Sequence, residues 1–401
     1  MAMAGMHIDP RMDHSSPARG FPKTEFERRL AGFQRCMANN HLDAVLLTTE
    51  PNVRYFSGFL TQFWQSPTRP WFLVLPLDGE PIAIIPEIGV SGMQDTWVSD
   101  IRSWPSPRPE DDGISLLIEC LSSLCRRYRR LGMTLGPESH LRMPANNVQA
   151  LKNGLAQVDL VDVSEDIHNY RMVKSELEIE KARYICDVAS RGFENVASWA
   201  QIGMSEMEIC RQFKMDLLNL GIDQPNYMVA GSGNRGYTSI IMGPGDRTVG
   251  AGDVLIIDTG STFDGYFCDF DRNWAFGSVD DATRSAYRTV WQATEAGFNT
   301  VRPGATTTDL WRAMNDVMVD GGSEGNDVGR LGHGLGIELT ERPSNTHDDF
   351  TRLEPGMIMT LEPGMTYGGG KQMVHEENVL ITEDGAEWLT RRAPEEIPVI
   401  K

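Results

Sequence analysis

Cysteine motifs are missing from this sequence. Its six cysteines form no Cys-x-x-Cys pair, which is the spacing of many zinc sites and redox motifs. Most of them lie in apolar segments, where buried free thiols are expected. The first twenty residues also lack the basic head and apolar core of a secretory signal. These absences predict a protein of the reducing cytoplasm.

Long hydrophobic runs and an excess of positive charge are missing too. No apolar run approaches the roughly 18 residues of a membrane-spanning helix. The chain has 37 lysines and arginines against 56 aspartates and glutamates, which gives a net charge of −19. A surface this acidic repels nucleic acid and anionic membranes. We therefore expect neither nucleic acid nor a membrane among the partners of this protein.

The length of 401 residues exceeds what one hydrophobic core supports, so two domains are expected. After a flexible lead-in at residues 1–22, apolar strands such as AVLLTT and PIAIIP alternate with helical stretches. This order predicts a small α/β domain over residues 23–165. Residues 170–401 combine helices with extended segments bounded by glycine and proline. That pattern predicts an α+β domain in which helices cover a curved antiparallel sheet.

The last third of the chain carries five residues suited to metal binding. Each stands in a hydrophobic segment punctuated by glycine or proline; they are Asp258, Asp269, His333, Glu362 and Glu376. Four carboxylates and one imidazole form a hard, oxygen-rich cage that suits two divalent ions about 3.5–4 Å apart with a water between them. A turn at Asp264-Gly265 predicts a hairpin that folds the strands of Asp258 and Asp269 together. Without metal, the four carboxylates would repel one another and raise their pKa values.

The segments around these residues resemble the motifs of a known superfamily. They read DTGSTFDGYFCDFDR, GHGLGIELTERP, LEPGM and HEENVLIT, and the similarity covers roughly residues 165–395. It is a resemblance to the creatinase/prolidase/methionine aminopeptidase superfamily, the M24-type metallopeptidases with the pita-bread fold. The resemblance implies a metallohydrolase that cleaves an amide-type C–N bond, most simply that of an Xaa-Pro dipeptide. It also implies two divalent ions, which are Mn, Co, Zn or Fe.

The resemblance implies a role for each of the five residues. Asp258 would bind one metal ion, and His333 and Glu362 would bind the other. Asp269 and Glu376 would bridge both ions. Glu362 would also carry the proton of the attacking water during catalysis, beside the catalytic His333.

The sequence departs from the peptidase pattern around these ligands. The position seven residues after the metal histidine is Thr340, where peptidases carry a second histidine. The loop 231–247 has no histidine at all, and Val374 replaces an arginine found in many peptidases. Those groups normally stabilise the tetrahedral oxyanion or bind the substrate carboxylate. We expect Thr340 and His375 to be the catalytic candidates for the lost hydrogen bonds.

Two further positions near the ligands have a predicted role. The glycines of GSGNRG have the spacing of a dinucleotide motif, but no helix is expected after them. The resemblance instead makes this segment a loop beside the substrate pocket, with Tyr237 as a substrate-binding residue. Asp271 stands where the superfamily usually has threonine. It is either a partner of the metal ligands or the ion-pair partner of Arg272.

The N-terminal half carries its own resemblance. FLTQFWQSPTRPWFLVL is similar to a creatinase segment in which an arginine of the neighbouring subunit contacts a small substrate. Arg69 is the matching arginine, and Trp64 lies in the same loop. A guanidinium among aromatic side chains suits a carboxylate or a cationic small molecule. The alternative is a surface loop with Trp64 packed at a dimer interface, and both interpretations favour a homodimer.

Three classes of function follow from these features. The first is a dinuclear hydrolase of the Xaa-Pro dipeptidase or aminopeptidase type. The second is a non-peptidase member that acts on a small zwitterion or acid, such as a creatine or ectoine hydrolase or a dimethylsulfoniopropionate lyase. The missing histidines and the Arg69 loop favour this second class. The third is a non-catalytic binding protein, which the intact set of five ligands disfavours.

Overall fold

The computed structural model describes residues 16–325 and 329–401, so most of the predicted lead-in at residues 1–22 lies outside the described residues. The chain forms two compact units. One comprises Gly20–Lys174 together with His333–Ser344. The other comprises Ser175–Gly332 and Asn345–Lys401, with the segment that ends at Arg19. Within the described ranges, no helix combines the length and apolarity needed to cross a membrane.

The first unit is built on a mixed six-stranded sheet with helices. Its elements are α1 Lys23–Asn39, β1 Ala44–Leu47, α2 Glu50–Ser57, β2 Phe72–Pro76, β3 Ile82–Pro86, α3 Val90–Gln94, β4 Asp100–Trp104, α4 Ile114–Leu124, β5 Arg130–Met133, α5 Ala145–Gly154, β6 Asp159–Asp162 and α6 Ser164–Met172. The strand order is β4-β3-β2-β1-β5-β6, and only the pairs formed by β2 are antiparallel. The central strands AVLL, FLVLP and IAIIP are buried along their whole length, which explains their continuous apolar sequences.

The second unit combines long helices with antiparallel pairing. Its elements begin with α7 Glu176–Trp199, α8 Glu206–Leu220, β7 Gln224–Asn234, β8 Asp253–Phe263, β9 Tyr266–Phe267, β10 Phe270–Phe276, α9 Asp281–Thr300 and α10 Thr307–Asp320. After β11 His333–Gly334 and β12 Glu341–Ser344, which pair with each other in the first unit, it continues with β13 Ile358–Leu361, β14 Gly364–Tyr367, β15 Lys371–Val374, β16 Glu377–Ile381, β17 Ala386–Trp388 and β18 Val399–Ile400.

Two sheets of the second unit carry the carboxylates of interest. The first has the order β18-β10-β8-β7, with β9 paired to β8. In the second, β16 pairs with β13 on one side and with β17 on the other. The predicted hairpin joins β8 to β9. Asp264 and Gly265 have φ angles of 47° and 79°, the conformation of a type I′ turn, so the hairpin prediction is confirmed.

A buried ion network fixes the segment His333–Ser344 within the first unit. The guanidinium of Arg171 at the end of α6 lies 2.6 Å from carboxylate oxygens of both Glu338 and Glu341. Its other nitrogen donates to Asn52 Oδ1 at 2.7 Å. Lys174 Nζ lies 3.0 Å from the second oxygen of Glu341. Burial alone would raise the pKa of Glu341, but the charges of Lys174 and Arg171 outweigh it and lower the pKa to about 2.

This network predicts a loss of stability in acid. The pKa of Glu341 is about 2 in the folded protein against an ordinary value of 4.5. A lowered pKa contributes stability above the ordinary value, and the contribution disappears as the pH falls from 4.5 towards 2. The difference corresponds to roughly 3 kcal/mol. We expect Glu341→Gln to flatten the fall of the free energy of unfolding over this pH range, measured by urea denaturation.

The matched control for this prediction is Glu338→Gln. Glu338 also contacts Arg171, but its side chain is 35% exposed, whereas that of Glu341 is 6% exposed. The control should therefore keep most of the acid dependence of the wild type. Equal acid dependence in wild type and Glu341→Gln would contradict the assignment.

Candidate metal centre

Strand register places the first two predicted ligands on one face of a sheet. Asp258 lies within β8, directly opposite Asp271 of β10. β9 and β10 continue one antiparallel register against β8, which places Asp269 opposite Gly260. Residues that pair across strands point to the same face, and so do residues two apart along a strand. Asp258, Asp269 and Asp271 therefore share one face of this sheet.

The remaining predicted ligands lie next to short strands. Glu362 follows β13 immediately, Glu376 immediately precedes β16, and His333 begins β11. Asp269, His333 and Glu376 are buried. Asp269 and Glu376 each offer a carboxylate oxygen, and these two oxygens lie within 4.8 Å of each other. Glu362 is 22% exposed, and its Oε1 lies 3.6 Å from Arg330 Nε. The carboxylates of Asp269 and Glu376 are thus close enough to bind a metal ion together.

The charges of the other two carboxylates, Asp258 and Glu362, influence the pKa of Glu376. Burial raises the pKa of Glu376 well above its usual range, and the negative charges of Asp269, Glu362 and Asp258 add to the rise. Burial and the charge of Asp269 also raise the pKa of Asp258 well above its usual range. Burial raises the pKa of Asp269 to about 8, although the charge of Arg330 opposes the rise. A cation among these groups would reverse the shifts.

Buried oxygens without partners test whether a metal fits. Asp258 Oδ1 and Glu376 Oε1 are buried and have no hydrogen-bond partner among the described residues. Such oxygens are costly unless a donor or a cation meets them. His333 Nδ1 lies 2.8 Å from the Gly334 carbonyl oxygen, which only accepts, so Nδ1 carries the proton and Nε2 keeps its lone pair. The residues present fit a divalent ion with oxygen and imidazole ligands.

Comparison with known proteins agrees with this geometry. Residues 180–383 match the description of metallopeptidase family M24, and residues 29–173 match the creatinase/prolidase N-terminal domain. The chain belongs to metallopeptidase family M24. Membership implies divalent metal ions and makes the chain a metallohydrolase, so the predicted enzyme class is confirmed.

Relatives of this M24 chain carry peptidase names. A probable dipeptidase PepE of Mycobacterium tuberculosis is 26% identical over 388 residues, covering 96% of this chain and 99% of the relative. A putative dipeptidase YkvY of Bacillus subtilis is 27% identical over 360 residues, covering 87% of this chain and 93% of the relative.

Solved structures confirm the pita-bread fold class. The dipeptidase PepE of Mycobacterium ulcerans superposes with a TM-score of 0.82 at 26% identity, covering 95% of this chain and 99% of that chain. The prolidase of Pyrococcus horikoshii OT3 superposes with a TM-score of 0.79 at 23% identity, covering 92% of this chain and 100% of that chain.

Tyr237 of this M24 chain, a predicted substrate-binding residue, lies fully buried between strands. Its hydroxyl donates to Asn273 Oδ1 at 3.0 Å and accepts from the backbone N–H of Val374 at 2.9 Å. The backbone N–H of Gln372 donates to the Tyr237 carbonyl at 2.8 Å. These contacts connect the loop after β7 to β10 and β15.

His375 and Thr340, the predicted catalytic candidates, occupy different environments. His375 is buried beside α9, where its Nδ1 lies 3.1 Å from Thr294 Oγ1. Its Nε2 lies 3.6 Å from Glu377 Oε1. Alternation along the strand therefore points His375 and Glu377 to the face opposite Glu376. Burial, with the charges of two nearby arginines, lowers the pKa of His375 well below its usual range. Thr340 is exposed in the bend before β12.

The contacts of Arg272 decide between the two interpretations of Asp271. The guanidinium of Arg272 bonds to Glu377 Oε2 at 2.9 Å and to the backbone carbonyl of Asp271 at 2.6 Å. The Asp271 carboxylate instead accepts from Asn273 Nδ2 at 3.1 Å. The buried Asp271 therefore faces Asp258 as a neighbour of the predicted ligands rather than pairing with the Arg272 side chain.

A loop of the first unit carries Arg69 and Trp64. Arg69 has a φ of 56° and donates from Nε to Ser106 Oγ at 3.0 Å, with its guanidinium 5.4 Å from the Phe63 ring centroid. Trp64 is buried against Trp71. One guanidinium, that of Arg142, donates to a whole set of loop carbonyls: those of Phe63, Trp64, Ser66, Thr68 and Arg69. These hydrogen bonds from Arg142 hold the loop together.

Sequence reasoning missed two residues beside the ligands. Tyr227 of β7 pairs with Gly260 and so shares the face of Asp258 and Asp269. Its pKa is raised by burial and by the charges of four of the predicted ligands: Asp258, Asp269, Glu376 and Glu362. Arg330 contacts Glu362. The available signals were the period of two in NYMVAG and the position of Arg330 three residues before the metal histidine.

Proposed function

We propose that this protein is a dinuclear metal-dependent peptidase that cleaves Xaa-Pro dipeptides. The observation that carries the proposal is the approach of two buried carboxylates, those of Asp269 and Glu376, to within 4.8 Å of each other. Relatives named dipeptidase and a similar fold named prolidase support the substrate class. The acidic chain acts in the cytoplasm.

The five predicted ligands divide between two divalent ions, with manganese the first candidate. Asp258 would hold one ion, His333 and Glu362 would hold the other, and Asp269 and Glu376 would be shared by both. When bound, such ions lower the pKa of a water and polarise the substrate carbonyl. The two unpartnered oxygens of Asp258 and Glu376 support this division, because each has no other partner among the described residues.

Glu362 is the proposed proton carrier. Its side chain is 22% exposed, so it would be accessible to an entering substrate. Its Oε1 lies 3.6 Å from Arg330 Nε, and its carboxylate would accept the proton of the attacking water. The same carboxyl group then delivers the proton to the leaving nitrogen.

Tyr227 is the proposed donor to the oxyanion. Its phenol has no hydrogen-bond partner among the described residues, and it lies on the ligand face of the sheet. A raised pKa keeps the phenol protonated, so it donates to the developing negative charge. This supplies a hydrogen bond that histidines provide in the peptidase pattern.

The other predicted site residues take different proposed roles. Tyr237 and His375 support the strands that carry the ligands, since their polar atoms contact Asn273, Val374 and Thr294. Thr340 is a proposed substrate contact on the exposed segment before β12.

Arg69 is the proposed binder of the substrate carboxylate, supplied by the second subunit of a homodimer. Its side chain is only partly buried and stacks over Phe63. Trp64 of the same loop is buried against Trp71 and anchors the loop. This role compensates for Val374, which stands where many peptidases carry the carboxylate-binding arginine.

A second candidate keeps the metal centre but changes the substrate. The absence of histidine from residues 231–247 favours a small zwitterion or acid over a peptide. Under this alternative, Arg69 recognises the carboxylate of a creatine-like, ectoine-like or dimethylsulfoniopropionate-like molecule.

A substrate panel separates the two candidates. Metal-depleted protein reloaded with Mn²⁺ would be given Gly-Pro, Ala-Pro and Ala-Ala, and in parallel creatine, ectoine and dimethylsulfoniopropionate. We expect Mn²⁺-dependent hydrolysis of the Xaa-Pro dipeptides and little turnover of Ala-Ala. Metal-loaded protein that ignores all dipeptides but converts one of the small zwitterions would establish the second candidate instead.

A further inference from the structure

The two proposed bridging carboxylates stand on separate sheets. Asp269 immediately precedes β10, which pairs with β8. Glu376 immediately precedes β16, which pairs with β13 and β17. A metal pair needs its bridging carboxylates at a fixed spacing, within a few tenths of an ångström. β10 and β16 lie in separate sheets, so backbone pairing between them does not set that spacing. Another contact has to do so.

The side chain of Asn378 makes the connection at the level of Asp269. The backbone N–H of Asp269 donates to Asn378 Oδ1 at 3.0 Å. Asn378 Nδ2 in turn donates to the backbone carbonyl of Asp269. One amide therefore satisfies both backbone polar groups of a predicted ligand. Asn378 lies two residues after Glu376, so the two side chains point to the same side of the chain.

The antiparallel pairing of this strand explains why the backbone N–H and C=O of Asp269 are available to Asn378. The neighbouring Cys268 donates its N–H across to the Ser261 carbonyl of β8 at 3.0 Å. In an antiparallel ladder, the next residue points its N–H and C=O to the other side of the strand. A further strand would normally pair there. The amide of Asn378 occupies the place of that strand.

Asn378 is itself held in one orientation. It is fully buried, and its backbone N–H donates to Thr390 Oγ1 at 3.2 Å. Its backbone carbonyl accepts from Leu389 at 2.9 Å. Cys186 Sγ lies 3.3 Å from Asn378 Oδ1 and donates to it. Rotating the amide by half a turn would oppose like groups at Asp269, so one orientation is fixed.

We propose that Asn378 is a positioning residue that sets the spacing of Asp269 and Glu376 for a pair of divalent ions. The inference rests on the proposed metal centre. Without the amide, both backbone groups of Asp269 lose their buried partner, and Asp269 shifts relative to Glu376. The effect should appear in metal affinity and coordination rather than only in stability.

The test uses Asn378→Leu, which keeps the size of the side chain but removes both hydrogen bonds. Asn378→Asp is the milder variant, because an ionised carboxylate still accepts from Asp269 N–H but cannot donate to its carbonyl. Cys186→Ala is the matched control. It removes a buried neighbour of the same amide and leaves both bonds to Asp269 in place.

Each metal-depleted, full-length variant would be titrated with Co²⁺, followed by calorimetry and by visible absorption of the bound ion. We expect Asn378→Leu to weaken Co²⁺ binding about 10–100-fold and to change the absorption bands, the range seen when outer partners of metal ligands are removed. Asn378→Asp should also weaken Co²⁺ binding and change the absorption bands in the same direction. Cys186→Ala should bind like wild type, even where its melting temperature falls as far as that of the asparagine variants.

Two results would overturn the inference. One is wild-type Co²⁺ affinity and absorption in both asparagine variants, and the other is an equal change in Cys186→Ala. Failure of the wild-type protein to bind Co²⁺ is a separate result, because it would refute the proposed metal centre and the inference with it.

Discussion

Replacing Asp269 with asparagine is expected to abolish tight metal binding and to lower peptidase turnover at least ~1,000-fold. Asp269 is a buried carboxylate with an oxygen within 4.8 Å of an oxygen of Glu376, and a neutral amide cannot balance a divalent cation. Loss of the ions removes several kcal/mol of transition-state stabilisation, at about tenfold in rate per 1.4 kcal/mol. Metal analysis of the purified variant, together with kcat/KM on Ala-Pro, measures both effects.

The same hairpin offers a matched control. Asp264 lies five residues earlier at the type I′ turn, where asparagine is equally suited to a φ of 47°. Its carboxylate is 2.7 Å from Lys181 Nζ rather than beside the ligands. Asp264→Asn should therefore keep metal and turnover while losing some stability. An Asp269→Asn protein that retains two ions and wild-type turnover would refute the assignment of this residue.

Replacing Tyr227 with phenylalanine is expected to lower kcat about 100-fold without loss of metal. The change removes one hydroxyl that faces the ligand side of the sheet and has no hydrogen-bond partner among the described residues. Removing one donor to an oxyanion costs on the order of 100–1,000-fold in kcat. The variant should fold with wild-type stability, because no described hydrogen bond depends on this hydroxyl. Steady-state kinetics and metal analysis on the same preparation provide the measurement.

Tyr237→Phe is the contrasting variant. The hydroxyl of Tyr237 bonds to Asn273 and to Val374, so its removal leaves two buried polar groups unpaired. We expect a loss of about 2 kcal/mol in the free energy of unfolding, the scale of an unsatisfied buried group, with a smaller change in kcat. If Tyr237→Phe lost more turnover than Tyr227→Phe at full stability, the roles of the two tyrosines would be reversed.

The sequence motifs were sufficient to locate the carboxylate cluster and the hairpin. Asp264-Gly265 can form a type I′ turn with little strain, so the return of β9 along β8 follows from two residues. The proximity of Asp269 and Glu376 was predicted from the M24-like motifs around them. In each case, local chemistry and family pattern pointed to the same geometry.

Residues whose role depends on strand register were harder to predict. Tyr227 reaches the ligand face only because β7 pairs with β8 so that it lies opposite Gly260, beyond a register irregularity between Pro225 and Tyr227. A slip of one residue would reverse the face. The same alternation points His375 away from Glu376, although the two are adjacent in sequence. Asp271 was ambiguous because the choice depended on the path of the Arg272 side chain to Glu377.

The loop held by Arg142 has a consequence for affinity. A binding segment that is disordered beforehand must give up conformational freedom when its ligand arrives, and each immobilised side chain subtracts roughly 0.5–1.5 kcal/mol from binding. Here five carbonyls of this loop already accept hydrogen bonds from one guanidinium, so the loop is ordered in advance. A ligand that binds Arg69 therefore contacts a loop whose conformational entropy was already lost during folding. Binding does not have to order this loop again.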